Sequence, residues 1–464
     1  MVNINSWILD KKDRQIQELV NMNLKLMERI QILEKTIMDL ENRLSKYGNP
    51  KNSRNSSVPP SKDENRPAKN QSLREDSGKK TGGQPGHKGH TREMNAHPDI
   101  ILDHKSDYCN CCGRDLSGIH AELSSKRQVI DIPVVRPVCT EHRSYIKNCP
   151  CGSENKAAYP TGVNSPLQYG SGLESMVSYL HSRQYLPYQR MKELLKDCFG
   201  IRLSEGSIDN IIQRFAQKAL PTYELLKTAV GKSQVIGGDE TGAKVGGRKH
   251  WVWTYQTESL TVLAMSASRG LKATRSHFPG GFGTAILCHD AWRTYFNYRT
   301  NLHQLCTAHL LRELNYIEER YKSGWAKKLK KLLVEAIKLK KTLHGKPAAG
   351  QPGAVRGLET KLDRILETTL DVRHKEAVSM QKRLLKYRQS IFTFLYHHKV
   401  PPDNNASERA IRNIKVKQKV SGQFKSGRGA DDFCVIRSVV DTLIKRSQNI
   451  LENMDLIARL EPAE

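Results

Sequence analysis

A heptad repeat at the start of the chain rules out a single uniform globule. Leu9, Ile16, Asn23, Ile30, Ile37 and Leu44 fall at position a, and Lys12, Leu19, Leu26, Leu33, Leu40 and Tyr47 at position d. An apolar repeat of 3.5 residues keeps one narrow seam turned toward a partner helix, and Ile at a with Leu at d favours two parallel strands. The lone Asn23 at position a fixes register at some cost in stability. Residues 1–47 are therefore expected to form a coiled coil that joins protomers into a homodimer or higher oligomer. The plainer alternative is an amphipathic helix docked on its own chain, and the unbroken repeat disfavours it.

Beyond Tyr47 the chain changes character. Residues 48–98 are dominated by Asn, Ser, Pro, Gly and Lys and hold almost nothing to bury. A basic flexible linker is expected there, and its TGGQPGHKGH stretch suits a phosphate backbone. The whole chain carries 75 Lys and Arg against 48 Asp and Glu, a net charge of +27. An excess of that size favours a polyanionic partner, most commonly nucleic acid. No apolar run approaches the roughly 18 residues of a membrane span. The first residues also lack a secretory pattern. The expectation is a cytoplasmic, nucleoid-associated protein without a membrane partner, its cysteines reduced or metal-bound.

Six of the ten cysteines lie between Cys109 and Cys151. Cys109-x2-Cys112-Gly forms one knuckle and Cys149-Pro-Cys151-Gly a second. Glycine after each pair lets backbone amides turn toward the sulfurs, and four thiolates make a closed tetrahedral zinc site for a small domain with little core. Cys111, Cys139 and His142 are alternative ligands, and ordinary reduced cysteine is the plain alternative. A zinc-binding domain is expected over residues 99–160. Cys198, Cys288, Cys306 and Cys434 read as core residues.

Residues 165–230 show helical periodicity. One helix runs from near Pro187 to Gly200, and a second is capped by Ser204, as in a helix-turn-helix. Any helical hairpin gives a similar pattern. From residue 231 the period changes to two. SQVIGGDETGAKV, WVWTYQT and LTVLAMSAS predict three antiparallel strands, with Gly246-Gly247 turning the first hairpin. A short helix near Leu271, buried strands at TAILCHD and HQLC, and a helix over 308–321 complete a mixed sheet. Residues 324–396 read as an all-α insertion, after which 397–464 return to the sheet domain as helices. The fold class is multidomain α+β.

Two acids stand where apolar residues are expected. Asp239 lies within VIGGDETG and Asp290 ends AILCHD. An ionised carboxylate costs several kcal/mol to bury unless a partner or metal compensates. Neighbouring strands would bring the two to one sheet edge, with Glu408 as a third acid on a following helix. Three carboxylates are hard donors that suit Mg²⁺ or Mn²⁺, and two ions about 4 Å apart serve phosphoryl transfer. Taken singly, each acid has a plain alternative as a strand-end turn residue or a surface salt bridge. That alternative wins for Glu408 alone, whereas Asp239 and Asp290 in apolar strands, with a basic helix after the third acid, favour the metal site. From Arg409 to Arg428 there are seven Lys or Arg and no acid. These residues, Arg409, Arg412, Lys415, Lys417, Lys419, Lys425 and Arg428, are the expected DNA contacts, and Arg412 shares the helical face of Glu408.

The combination of TGGQPGHKGH, GGDETGAKV, LCHDAWRTY, TAHLLREL, DNNASERAIR and SGQFKSGRGADDF resembles the insertion-sequence-66 family of bacterial transposases. The resemblance runs over nearly the whole chain. It implies a ribonuclease-H-like catalytic domain in which Asp239, Asp290 and Glu408 form an Asp-Asp-Glu triad. It also implies a zinc-binding domain at the cysteine cluster and His309 as a residue lining the site. A satisfied core histidine is the alternative for His309. The implied activity is DNA transposition: cleavage at the ends of an element to free 3′-hydroxyls, then their transfer into target DNA. Double-stranded DNA and small companion proteins of the same element are the implied partners. Two rival readings share these features, a non-catalytic DNA-binding regulator and a nuclease on the same fold.

Overall fold

The computed structural model describes residues 4–48, 50–52, 55, 86, 93–343 and 352–461. The chain divides into two compact units, one of residues 67–139 and 198–200 and one of the remainder. The TGGQPGHKGH stretch and most of the expected linker lie outside the described residues.

The first element, α1 (Ile4–Gly48), is one unbroken helix. Its described apolar seam positions, from Ile16 to Leu44, are between 48% and 75% exposed. A short hairpin of β1 (Ile146–Asn148) and β2 (Glu154–Lys156) follows. Helices α2 (Ser171–Ser182), α3 (Tyr188–Phe199) and α4 (Glu205–Gly231) come next. As the sequence indicates, α3 stops before Gly200, which sits at φ +70°, and Ser204 caps α4 by accepting from the Ser207 amide at 2.9 Å. Cys198 departs from expectation. It is exposed, because α3 buries only Met191 and Leu195 and its last turn has left their packing surface.

The centre of the larger unit is a mixed sheet. Strands β3 (Val235–Val245), β4 (Arg248–Gln256) and β5 (Thr261–Ser266) form an antiparallel meander. The β3–β4 turn places Gly246 and Gly247 at φ +53° and +77°, the paired left-handed geometry that a two-residue hairpin demands. Helix α5 (Leu271–His277) leads to β6 (Ile286–His289), which lies parallel to β3, and β7 (Leu302–Leu305) lies parallel to β6. The resulting order is β5-β4-β3-β6-β7.

Helices α6 (Thr307–Tyr321), α7 (Gly324–Thr342), α8 (Pro352–Leu366), α9 (Lys375–Lys386) and α10 (Thr393–Tyr396) follow. The inserted helices do not stand apart from the sheet. Leu329, Leu333, Leu362, Met380 and Phe394 share one apolar cluster with Ile286, Cys288 and Leu305 of the sheet. The chain closes with α11 (Asn405–Ser421), α12 (Gly427–Lys445) and α13 (Ile450–Ala458). Ile414, Phe424 and Phe433 from this segment pack on Val245, Val252 and Leu263 of the meander. Cys288, Cys306 and Cys434 are buried as expected.

Candidate active site

Parallel pairing of β3 with β6 sets the geometry. Val235, Ile236 and Gly237 align with Ile286, Leu287 and Cys288. The same register continued by two residues brings Asp239 level with Asp290, immediately past the end of β6. Gly237 lets a third element approach. A Cβ there would come within 2.5–2.7 Å of the side chains of Gln256, Asn404 and Ser407. Asn404 exploits that space, donating from Nδ2 to the Gly238 carbonyl at 2.8 Å and accepting the Ser407 hydroxyl at 2.7 Å. The start of α11, which carries Glu408, is thereby clamped to the strand of Asp239.

A second set of bonds ties that loop to α6. The amide and hydroxyl of Thr307 both donate to the Pro402 carbonyl, at 3.0 and 2.8 Å, and the Asn404 amide donates to Cys306 Sγ at 3.1 Å. The first turns of α6 and α11 therefore face each other. Glu408 Oε1 accepts from Arg312 Nη2 at 2.5 Å and lies 3.5 Å from His309 Nε2, while Oε2 is 4.0 Å from Arg412.

Electrostatics register the crowding. Burial, then the charges of Glu240, Asp290 and Glu408, push the Asp239 carboxyl well above the usual range, against the Glu240 amide that donates to it. Asp290 is raised by burial and by Glu240, and the Trp292 amide, His309 and Arg269 oppose the shift. Burial and Arg312 lower the pKa of His309. These are the shifts of like charges gathered in a poorly solvated place, where a cation would be favoured. Hard oxygen donors of this kind fit magnesium or manganese. Among the described residues, however, no group of three or more His, Cys, Asp or Glu side chains is placed to hold a metal ion. Glu408 is instead engaged by the cations around it.

Several contributors escape a reading of the sequence. Glu240 is buried, pairs with Arg269 at 2.5 Å and accepts from the Tyr295 hydroxyl. It is the acid next to Asp239 in the same motif, and a second acid in an apolar strand was the available signal. Asn404 and Arg312 sit inside DNNASERAIR and TAHLLREL, but their roles depend on contacts made across the fold. His289, buried beside Asp290, reaches His303 at 3.0 Å.

The seven basic residues after Glu408 do not share one fate. Arg409, Arg412, Lys419, Lys425 and Arg428 are exposed, and Arg428 pairs with Asp209. Lys415 donates to the Gly242 carbonyl at 2.6 Å. Lys417 is buried, 3.4 Å from His181 Nδ1 and over the Phe433 ring, with its pKa lowered to about 8 by desolvation. The expectation of a DNA contact at Lys417 is thus corrected. Ser407, Ala410, Ile414 and Lys417 form the buried face of α11.

The two cysteine knuckles are built alike. Around Cys109, a Tyr108–Asp115 bridge flanks a turn in which the Cys109 amide donates to Arg114 and the Gly113 amide to Cys109. Around Cys149, the β1–β2 pair flanks a turn in which the Cys149 amide donates to Ser153 and the Gly152 amide to Cys149. Gly113 and Gly152 take φ +72° and +92°, which a side chain rarely adopts. The second turn is one residue shorter, which accounts for its Cys-x-Cys spacing. Amides of Cys112 and Cys111 lower the pKa of Cys109, and Ser153 with Cys149 brings Cys151 down to about 7. Polarised thiols on rigid turns suit zinc. Cys111, Cys139 and His142 are exposed.

Comparison with known families accords with this architecture. Residues 106–152 match the zinc-finger binding domain of transposase IS66, and residues 8–93 match a family of unknown function. No curated protein matches the chain. Residues 166–432, more than half of the chain and the whole span from α2 past Glu408, match the model described as the transposase IS66 family, and the chain belongs to that family.

Proposed function

We propose that this protein is a DNA transposase that binds the ends of an insertion sequence, cuts them by metal-dependent hydrolysis to free 3′-hydroxyls and joins those ends to target DNA. The alignment of Asp239 on β3 with Asp290 just past the end of the parallel strand β6, with the Glu408 charge felt at Asp239, carries this reading. The sheet order β5-β4-β3-β6-β7, with its meander followed by two parallel strands, supports a ribonuclease-H-like domain.

Asp239, Asp290 and Glu408 would hold magnesium or manganese, which when bound neutralises charge at the attacking and leaving oxygens of phosphoryl transfer. The chain's own contribution is position. Asn404 fixes α11 on β3, and the Glu240–Arg269–Tyr295 contacts brace the strand behind Asp239. Such a reaction asks little covalent chemistry of the protein. Arg409, Arg412, Lys419, Lys425 and Arg428 supply phosphate contacts along one approach to the acids. The zinc domain, held by Cys109, Cys112, Cys149 and Cys151, would recognise the terminal sequence together with α2–α4. The exposed seam of α1 would pair two protomers so that two DNA ends meet in one assembly, with small companion proteins as further partners.

A strand-transfer assay with Mg²⁺, labelled duplex ends and the Asp239→Ala variant tests the proposal. Joining by the parent protein and none by the variant is the expected result. Unchanged DNA-dependent activity in the variant would indicate a non-catalytic regulator. Cleavage without joining and without preference for terminal repeats would indicate a nuclease.

A further inference from the structure

The cations around Glu408 remain to be explained. Arg312 Nη2 and His309 Nε2 converge on one oxygen, Oε1, while Arg412 stands off the other. His309 Nδ1 is buried without a hydrogen-bond partner among the described residues. The Arg312–Glu408 pair is short, at 2.5 Å, and its two side chains keep only 28% and 19% of their exposure. A pair this far out of water separates only when an incoming anion takes over the guanidinium. The guanidinium fork also matches a phosphate as well as it matches a carboxylate.

We propose that Arg312 is a ligand for the phosphodiester at the reaction centre, held in reserve by Glu408 until DNA arrives. This rests on the reading of Asp239, Asp290 and Glu408 as a metal site. In the DNA-free protein Arg312 neutralises Glu408 and keeps it from the two aspartates. When a backbone phosphate enters, Arg312 transfers to its non-bridging oxygens and Glu408 is released to the cation. Every charge exchanges one opposite partner for another, so the switch leaves no buried ion unpaired. Binding of DNA and of metal then become coupled, and the coupling is reciprocal.

The test is Mn²⁺ binding, followed by electron paramagnetic resonance on the full-length protein. It is measured alone and with a duplex made from the terminal repeat flanking the coding sequence. DNA is expected to tighten Mn²⁺ binding by about tenfold in the parent protein, within the usual range of such couplings. Arg312→Ala should bind Mn²⁺ about tenfold more tightly without DNA and gain nothing further when DNA is added. Arg459→Ala removes an equal charge from an exposed position paired with Asp455, away from Glu408, and should leave DNA-free Mn²⁺ affinity unchanged. Arg312→Gln, which keeps a polar side chain, should repeat the alanine result if alanine disturbs the fold.

An Arg312→Ala protein with unchanged or weaker Mn²⁺ binding would overturn the proposal. So would a parent protein whose Mn²⁺ affinity ignores DNA that anisotropy shows to be bound. Asp239→Ala separates these outcomes from failure of the underlying reading. If it leaves Mn²⁺ binding intact, the metal is not at this site at all.

Discussion

The sheet domain and the cysteine knuckles reach order by opposite means. Around Asp239 the chain buries Trp253, Tyr255 and Tyr295, and that apolar mass can carry several acids on and beside the central strand. Around Cys109 and Cys149 almost every side chain is exposed, and the turns hold by a few backbone hydrogen bonds. The first region can therefore tolerate electrostatic strain, whereas the knuckles have no such reserve. The lesson is that a well-packed core makes room for unfavourable charge, and a region without one must take its stability from a bound ion.

That contrast can be broken most forcefully at Asp239. Asp239→Asn should reduce strand cleavage by about a thousandfold or more, the scale on which removal of a key electrostatic group acts. Thermal melting should show no loss of stability, because the substitution removes a like charge from a desolvated cluster. A fall of several degrees in Tm would mean that Asp239 is a structural partner and not a strained one.

The knuckles should respond in the reverse sense. Chelation of zinc, or Cys109→Ser, should abolish protection from hydrogen exchange across residues 106–152 and leave the melting of the sheet domain in place. Coincident loss in both regions would show that the zinc domain and the sheet unfold as one.

A smaller effect tests how the sheet domain handles buried imidazoles. Burial lowers His277 to about 4, where its ring meets Ser266 Oγ at 2.9 Å and the Tyr255 hydroxyl at 3.2 Å. Between about pH 6.5 and 4 the unfolded chain takes up a proton that the folded ring refuses. Stability contributed by this residue is thus lost as pH falls through that window, with a slope of up to about 1.4 kcal/mol per unit. His277→Gln should flatten the dependence of Tm on pH by that increment relative to the parent. Parallel curves would show that the ring protonates in the folded state.

The finest test compares neighbours on α11. Lys419→Ala should lower the salt slope of DNA binding by about one, as expected when one phosphate fewer is neutralised. Lys417→Met should leave that slope unchanged and raise stability slightly, since it replaces a cation whose burial already lowers its pKa. Equal slopes for both variants would return Lys417 to the DNA surface.

Much of this molecule is legible in its sequence. The strand alternation around Asp239, the paired glycines at 246–247, the Ser204 cap and the knuckle glycines are local, and backbone sterics leave little choice at such positions. The acids also announced themselves, because a carboxylate in an apolar strand is a local anomaly. Lys417 shows where a basic run misleads. A basic run shows composition, while the buried face of α11 is set by what packs against it. Cys198 failed similarly, since helical spacing cannot say where the packing surface ends.

The sequence alone determined the elements, their turns and the residues with chemistry to offer, all of which depend on neighbours within a few positions. Only the tertiary structure decided that Asn404 clamps α11 to Gly238, that Thr307 and Cys306 hold the same loop, and that Glu408 faces Arg312. Those pairs join residues about a hundred or more positions apart. Their pairing follows from close packing of several elements at once, which no local pattern encodes.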